Sequence, residues 1–127
     1  MAKPATTSFP RCIRRTARSS STSPAKGAFY ATELDDVLRK YGIENLLVCG
    51  VTTEVCVNTT VREANDRGYR CVVLSDGCAS YFPEFHEMGL NMIKAQGGIF
   101  GWVSDSAAVL KAMTAQTSNH LAAGASR

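Results

Sequence analysis

Leu46-Leu47-Val48-Cys49-Gly50-Val51-Thr52-Thr53-Glu54-Val55-Cys56-Val57 is the stretch whose reading decides the fold. Its first four residues are all apolar, and such a run predicts a strand buried on both faces, as in a parallel sheet. Gly50 ends the run and permits a sharp turn. Thr52 or Thr53 then caps a helix whose apolar positions Val57, Val61 and Ala64 recur at spacings of four and three, and Gly68 stops it. Cys56 therefore falls in the first turn of a helix, just past the C-terminal end of a buried strand. Free N–H groups and the positive end of a helix dipole favour thiolate, the nucleophilic form, at such a position. The same N–H groups can hold a developing oxyanion. Open α/β sheets bind ligands at that edge. The alternative reading is a small buried apolar cysteine without chemistry.

Working outward, Thr32 is expected to cap a preceding helix, with Asp35 at the capping-box position. Leu34, Val37, Leu38 and Tyr41 form its apolar face and Gly42 closes it. Downstream, Tyr69 to Leu74 reads as a second buried strand ending at Ser75-Asp76-Gly77 on the ligand side, where Asp76 has two readings, an approach to the site and, favoured, the cap of a turn. Pro83 fits the first turn of a helix with Phe85, Met88, Met92 and Ala95 as its apolar face. Gln96-Gly97-Gly98 ends that helix. Ile99 to Val103 forms a third strand, and Ser104 or Asp105 caps a last helix along Ala108, Leu110 and Met113. His86 raises the question of a Cys56–His86 dyad, but its spacing from the apolar face reads as a surface histidine. The alternation of helices and strands implies parallel strands joined by right-handed crossovers.

The 127 residues allow one domain with a modest core. No apolar run reaches membrane-spanning length, so no membrane partner is expected. Lys3, Arg11, Arg14, Arg15, Arg18 and Lys26 all precede the first acid, Glu33, which leaves a basic start and a mildly acidic remainder. The five cysteines, Cys12, Cys49, Cys56, Cys71 and Cys78, form no CxxC pair, and only two histidines accompany them. Neither a metal site nor a cofactor is expected. The odd count and strand-embedded Cys49 and Cys71 fit a reducing compartment, and the cytoplasm is the expected location.

Residues 1–25, rich in Ser, Thr, Arg, Pro and Ala without apolar periodicity, are expected to be disordered. A mitochondrial transit peptide fits their composition. A nucleic-acid-binding tail lacks aromatic interleaving and is not expected. The favoured reading makes the segment foreign to the domain, through a misassigned start or a frameshifted exon. The domain is placed at residues 26–115, and 116–127 are expected to be a disordered tail.

Gly50-Val51-Thr52-Thr53-Glu54-Val55-Cys56-Val57-Asn58-Thr59-Thr60, followed by Arg62-Glu63-Ala64-Asn65-Asp66-Arg67-Gly68-Tyr69, resembles the nucleophile segment of the isochorismatase-like cysteine hydrolases. The resemblance covers about residues 24–115, the C-terminal half of that domain. It implies a three-layer αβα fold with a parallel sheet, here reduced to about three strands. It implies Cys56 as nucleophile on an amide or ureide carbonyl. A cis peptide is implied between Val51 and Thr52, with backbone at Val51, Thr52 and Cys56 forming the oxyanion hole. Gln96, Tyr81 and Phe82 are candidate substrate-binding residues, Gln96 because its amide can both donate to and accept from an amide substrate, with the equal alternative that it caps backbone carbonyls at a helix C-terminus.

In that family an aspartate and a lysine complete the triad. The lysine lies six residues before the phenylalanine that matches Phe29, where this sequence has Ser23; Lys26 comes three residues later. No strand ending in aspartate precedes residue 24, so only Cys56 has a counterpart. The Arg62–Tyr69 segment and Tyr81-Phe82-Pro83-Glu84-Phe85-His86 most resemble members acting on biuret or ureidoacrylate. Two readings follow: a C–N hydrolase working through a thioester at Cys56, or an inactive fragment or pseudo-enzyme serving only binding or assembly. A bare sheet edge would favour homo-oligomers or aggregates.

Overall fold

The computed structural model describes residues 26–124, so the expectations for residues 1–25, Ser23 included, lie outside the described residues. The elements run α1 (Leu34–Lys40), β1 (Asn45–Val51), a wide turn (Thr53–Val57), α2 (Asn58–Asp66), β2 (Arg70–Ala79), α3 (Pro83–Gly98), β3 (Trp102–Ser104) and α4 (Ser106–Gly124). The strands form one parallel sheet in the order β1-β2-β3. Both crossovers step in the same direction across the sheet, so a common hand puts α2 and α3 on the same face. Cys71 and Val73 of β2 are fully buried there in one cluster with Val61, Ala64, Leu90 and Ile93.

The opposite face explains a departure from the sequence reading. Leu46 to Cys49 was expected to be buried on both sides, yet burial alternates along β1. Leu46 and Val48 pack against the core, whereas Cys49 is exposed. Leu47, Val72 and Trp102 stand in register across the three strands, and Leu47 and Trp102 are 53% and 55% exposed. β1 is also an edge strand among the described residues, so its apolar run is half covered.

Both early helices end as the glycines require. Gly42 and Gly68 take positive φ. Ile43 N–H then reaches Leu38 O and Gly42 N–H reaches Arg39 O, while Tyr69 and Gly68 repeat the pattern onto Ala64 O and Asn65 O. These are the paired bonds of a Schellman motif. The start of α1 differs from expectation. Its N-cap is Glu33, which makes no side-chain cap bond, while Thr32 one residue earlier accepts the Leu34 N–H on Oγ1 at 3.4 Å and donates its hydroxyl to Ala28 O at 2.6 Å. Asp35 is drawn instead to Tyr69, whose hydroxyl donates to it at 2.6 Å, and to Arg39 and Arg67. The Tyr69 bond, with help from the two guanidinium groups, holds the Asp35 carboxyl below its usual range.

Three boundaries also move. β2 continues to Ala79 rather than stopping at Leu74, with the register against β1 slipping between Val48 and Gly50. β3 begins at Trp102, and Ile99 closes the preceding turn by donating to Ala95 O. α4 runs to Gly124, past residue 115 where the apolar spacing ends; the segment is rich in alanine and holds no proline. Its start is capped twice. Asp105 accepts from Ala108 N–H at 2.7 Å, and Asp76 accepts from both the N–H and the hydroxyl of Ser106. Asp76 thus caps a helix, and those two bonds hold its carboxyl below its ordinary value. Leu110 and Met113, which mark the apolar spacing of α4, are exposed.

The inward face of α3 is a further correction. Phe85, Met88 and Met92 are exposed, and the buried residues are Gly89, Leu90 and Ile93. Gly89 faces the wide turn so closely that a Cβ there would lie 3.2 Å from Thr53 Cγ2 and 3.3 Å from the Glu54 backbone. A bare α-carbon makes that approach possible.

Candidate active site

The wide turn begins at the C-terminal end of β1, where the Val51–Thr52 peptide bond is cis. Thr52 O accepts from Val55 N–H and from Val57 N–H, both at 3.2 Å. The second bond spans five residues rather than four, so the turn is wider than an α-helix. α2 follows without a break. Cys56 sits in this turn half-buried, as the sequence placed it, at the edge where the strands of a parallel sheet end.

The turn is held from behind by α3. Thr53, fully buried, shares a 2.7 Å hydrogen bond between its Oγ1 and His86 Nδ1. Asn58, buried as well, donates from Nδ2 to Gly89 O at 2.9 Å and accepts from Arg62 Nε at 2.9 Å. His86 is therefore no free surface histidine. It is half-buried, and its ring is bonded to the turn that carries the cysteine. In the same turn, Glu54 Oε2 is buried with no hydrogen-bond partner among the described residues.

The other thiols differ in kind. Cys71 is fully enclosed, and burial pushes its thiol up to about 11. Burial also raises that of Cys78. Cys49 lies exposed on the bare face of the sheet.

Of the candidate binding residues, Tyr81 and Phe82 precede α3, on the same side of the sheet as Cys56, and Tyr81 is 88% exposed. Gln96 is not brought to them. α3 connects the end of β2 to the start of β3, so its last residues lie at the opposite edge of the sheet. Gln96 stands there exposed, with φ of 52°. The sequence reading missed that about three helical turns, up to Lys94 where the backbone leaves helical geometry, separate Gln96 from the start of α3. A cleft of about 440 Å³, lined by Arg39, Gly42, Glu44, Arg67 and Arg70 among others, also lies at that far edge, where α1 and α2 end. It is remote from the cysteine. Among the described residues no group of three or more His, Cys, Asp or Glu could hold a metal ion, and no helix is long and apolar enough to cross a membrane.

The chain thus presents a parallel α/β sheet with a half-buried cysteine in the first turn after a strand. The isochorismatase domain pattern matches residues 22–108, and the chain belongs to the isochorismatase family. Among its relatives, ureidoacrylate amidohydrolase RutB of Acinetobacter baylyi is 40% identical over 84 residues, which are 65% of this chain and 33% of that protein. The isochorismatase family protein YwoC of Bacillus subtilis is 39% identical over 67 residues. Among solved structures, an isochorismatase-like hydrolase from Alkaliphilus metalliredigens superposes with a TM-score of 0.67 at 35% identity, over 72% of this chain and 49% of that one. Nicotinamidase PncA from Bacillus subtilis gives 0.61 at 31% identity, over 65% and 44%. The chain thus spans about a third of the curated relative's length and about half of the solved structure's.

Proposed function

We propose that this chain carries the nucleophile half of a hydrolase site for the C–N bond of a small amide or ureide. The observation that carries the reading is Cys56, held at the strand-end edge in a turn fixed from behind by α3. In the reaction, Cys56 Sγ attacks the carbonyl carbon, the amine leaves with a proton, and water then releases the acid from the thioester. Backbone around Val51, Thr52 and Cys56 is the candidate oxyanion hole. Tyr81 and Phe82, at the same edge, are candidates to cover a flat substrate. Relatives named for ureidoacrylate and nicotinamide hydrolysis support an amide substrate.

The proton transfers need an acid–base partner, and the family aspartate and lysine have no counterpart in these residues. A second reading has the chain by itself serve binding or assembly. Residues that act as a unit lose orders of magnitude in rate when one is removed. Incubated alone with ureidoacrylate, biuret or nicotinamide, the chain is therefore expected to give no measurable product. An activated p-nitrophenyl ester, by contrast, is expected to leave its acyl group on Cys56, detected by peptide mass, and to leave none at that site in Cys56→Ala. An ester that acylates Cys49 and spares Cys56 would contradict the proposed nucleophile. Amide turnover that vanishes in Cys56→Ala would overturn the second reading.

A further inference from the structure

We infer that His86 and Gly89 of α3 form a two-point clamp that aims Cys56, with His86 acting as a positioning residue through Thr53. The inference rests on Cys56 being the nucleophile, and it adds a role for a histidine that the chemistry does not otherwise use. His86 and Gly89 are three residues apart and so share one face of α3. Their two bonds land on either side of the cysteine. His86 Nδ1 meets Thr53 Oγ1 at 2.7 Å, three residues before Cys56, and Gly89 O accepts from Asn58 Nδ2 at 2.9 Å, two residues after it.

Both residues of the turn that receive these bonds are buried, Thr53 completely. A buried hydroxyl or amide left without a partner is destabilising, so each bond favours one arrangement of the turn over its alternatives. Between them Gly89 lets the helix approach within contact of Thr53 and the Glu54 backbone, which leaves the turn no room to retreat. Arg62 Nε donates to Asn58 Oδ1 at 2.9 Å and orients that amide toward α3. Tertiary bonds thus hold a turn whose own N-cap, Thr52, makes no side-chain cap bond. Losing the His86–Thr53 bond frees the first half of the turn, and Cys56 with it, while β1 and the core stay in place.

The experiment measures site-resolved iodoacetamide rates for the whole chain in Thr53→Val, Thr53→Ser, His86→Ala and the Thr53→Val/His86→Ala pair. Thr53→Val keeps the shape and removes the hydroxyl; Thr53→Ser restores it. Exposed Cys49 serves as the control for reagent, and buried Cys71 reports unfolding. Thr53→Val and His86→Ala are each expected to slow Cys56 about five- to tenfold relative to Cys49. The pair should be no slower than either alone, and Thr53→Ser should stay within twofold of the parent. Cys56 rates within twofold of the parent in His86→Ala, or effects that multiply in the pair, would overturn the clamp. Labelling of Cys71 in His86→Ala would overturn it too, since the bond would then support the core rather than aim the turn. If Thr53→Val alone exposes Cys71, His86→Ala decides. A parent chain in which Cys56 reacts no faster than Cys49 counts against the nucleophile reading instead, so the two failures are distinguishable.

Discussion

Ile93→Ala is expected to destabilise the fold by about 2–5 kcal/mol, the usual cost of emptying a large aliphatic side chain from a closed core. Ile93 is 0% exposed on the inward face of α3, in one cluster with Cys71, Val73, Val61 and Leu90. Its carbonyl also receives the N–H of Phe100, which ties the turn after α3 to the helix. Against a total stability of about 5–15 kcal/mol for a domain, such a loss is a large share and raises the unfolded-to-folded ratio by about one and a half to three and a half powers of ten. Met92, its neighbour in sequence, is 43% exposed, and Met92→Ala is expected to change stability by less than about 0.5 kcal/mol. Urea titration followed by circular dichroism separates the two. Equal losses would mean that α3 is rotated from the orientation described.

Association through β1 is the second large effect. β1 has a hydrogen-bonded neighbour on one side only among the described residues, and no residue from Asn45 to Val51 is charged or a proline. Exposed edges in stable monomers ordinarily carry such protection, because unpaired N–H and C=O groups accept a strand from another chain. Leu47 and Trp102 add exposed apolar surface on the adjoining face. The chain alone is expected to elute at twice its monomer mass or more, measured by size exclusion with light scattering, and Leu47→Lys should shift it toward monomer. A parent chain that runs as a soluble monomer with cooperative unfolding would contradict this.

Where hydropathy and local backbone chemistry agree, the sequence is readable. The apolar run before Gly50, the Val57, Val61 and Ala64 spacing, the glycines at 42 and 68 and the proline at 83 each act locally, and each leads to an element found in the structure. The inward face of α3 was not legible, because Phe85, Met88 and Met92 outweigh it in apolarity. The residue that makes the closest approach is Gly89, which has no side chain for a periodicity to register. His86 and Asp76 were misread or half-read for a related reason. Their partners, Thr53 and Ser106, lie 33 and 30 residues away, and no spacing rule reaches that far. Gln96 was placed by chemistry alone, without the topology that carries it to the other edge. The exposure of Cys49 depends on what covers a sheet face, which a strand's own residues do not encode.

The central claim is that position in the fold, rather than exposure, makes Cys56 the reactive thiol. Limiting iodoacetamide followed by peptide mapping tests it on the chain as it stands. Cys56, half-buried, is expected to be modified first, ahead of the more exposed Cys49, with Cys71 last because it is enclosed and its thiol is pushed up to about 11. Modification of Cys49 or Cys71 before Cys56 would contradict the account.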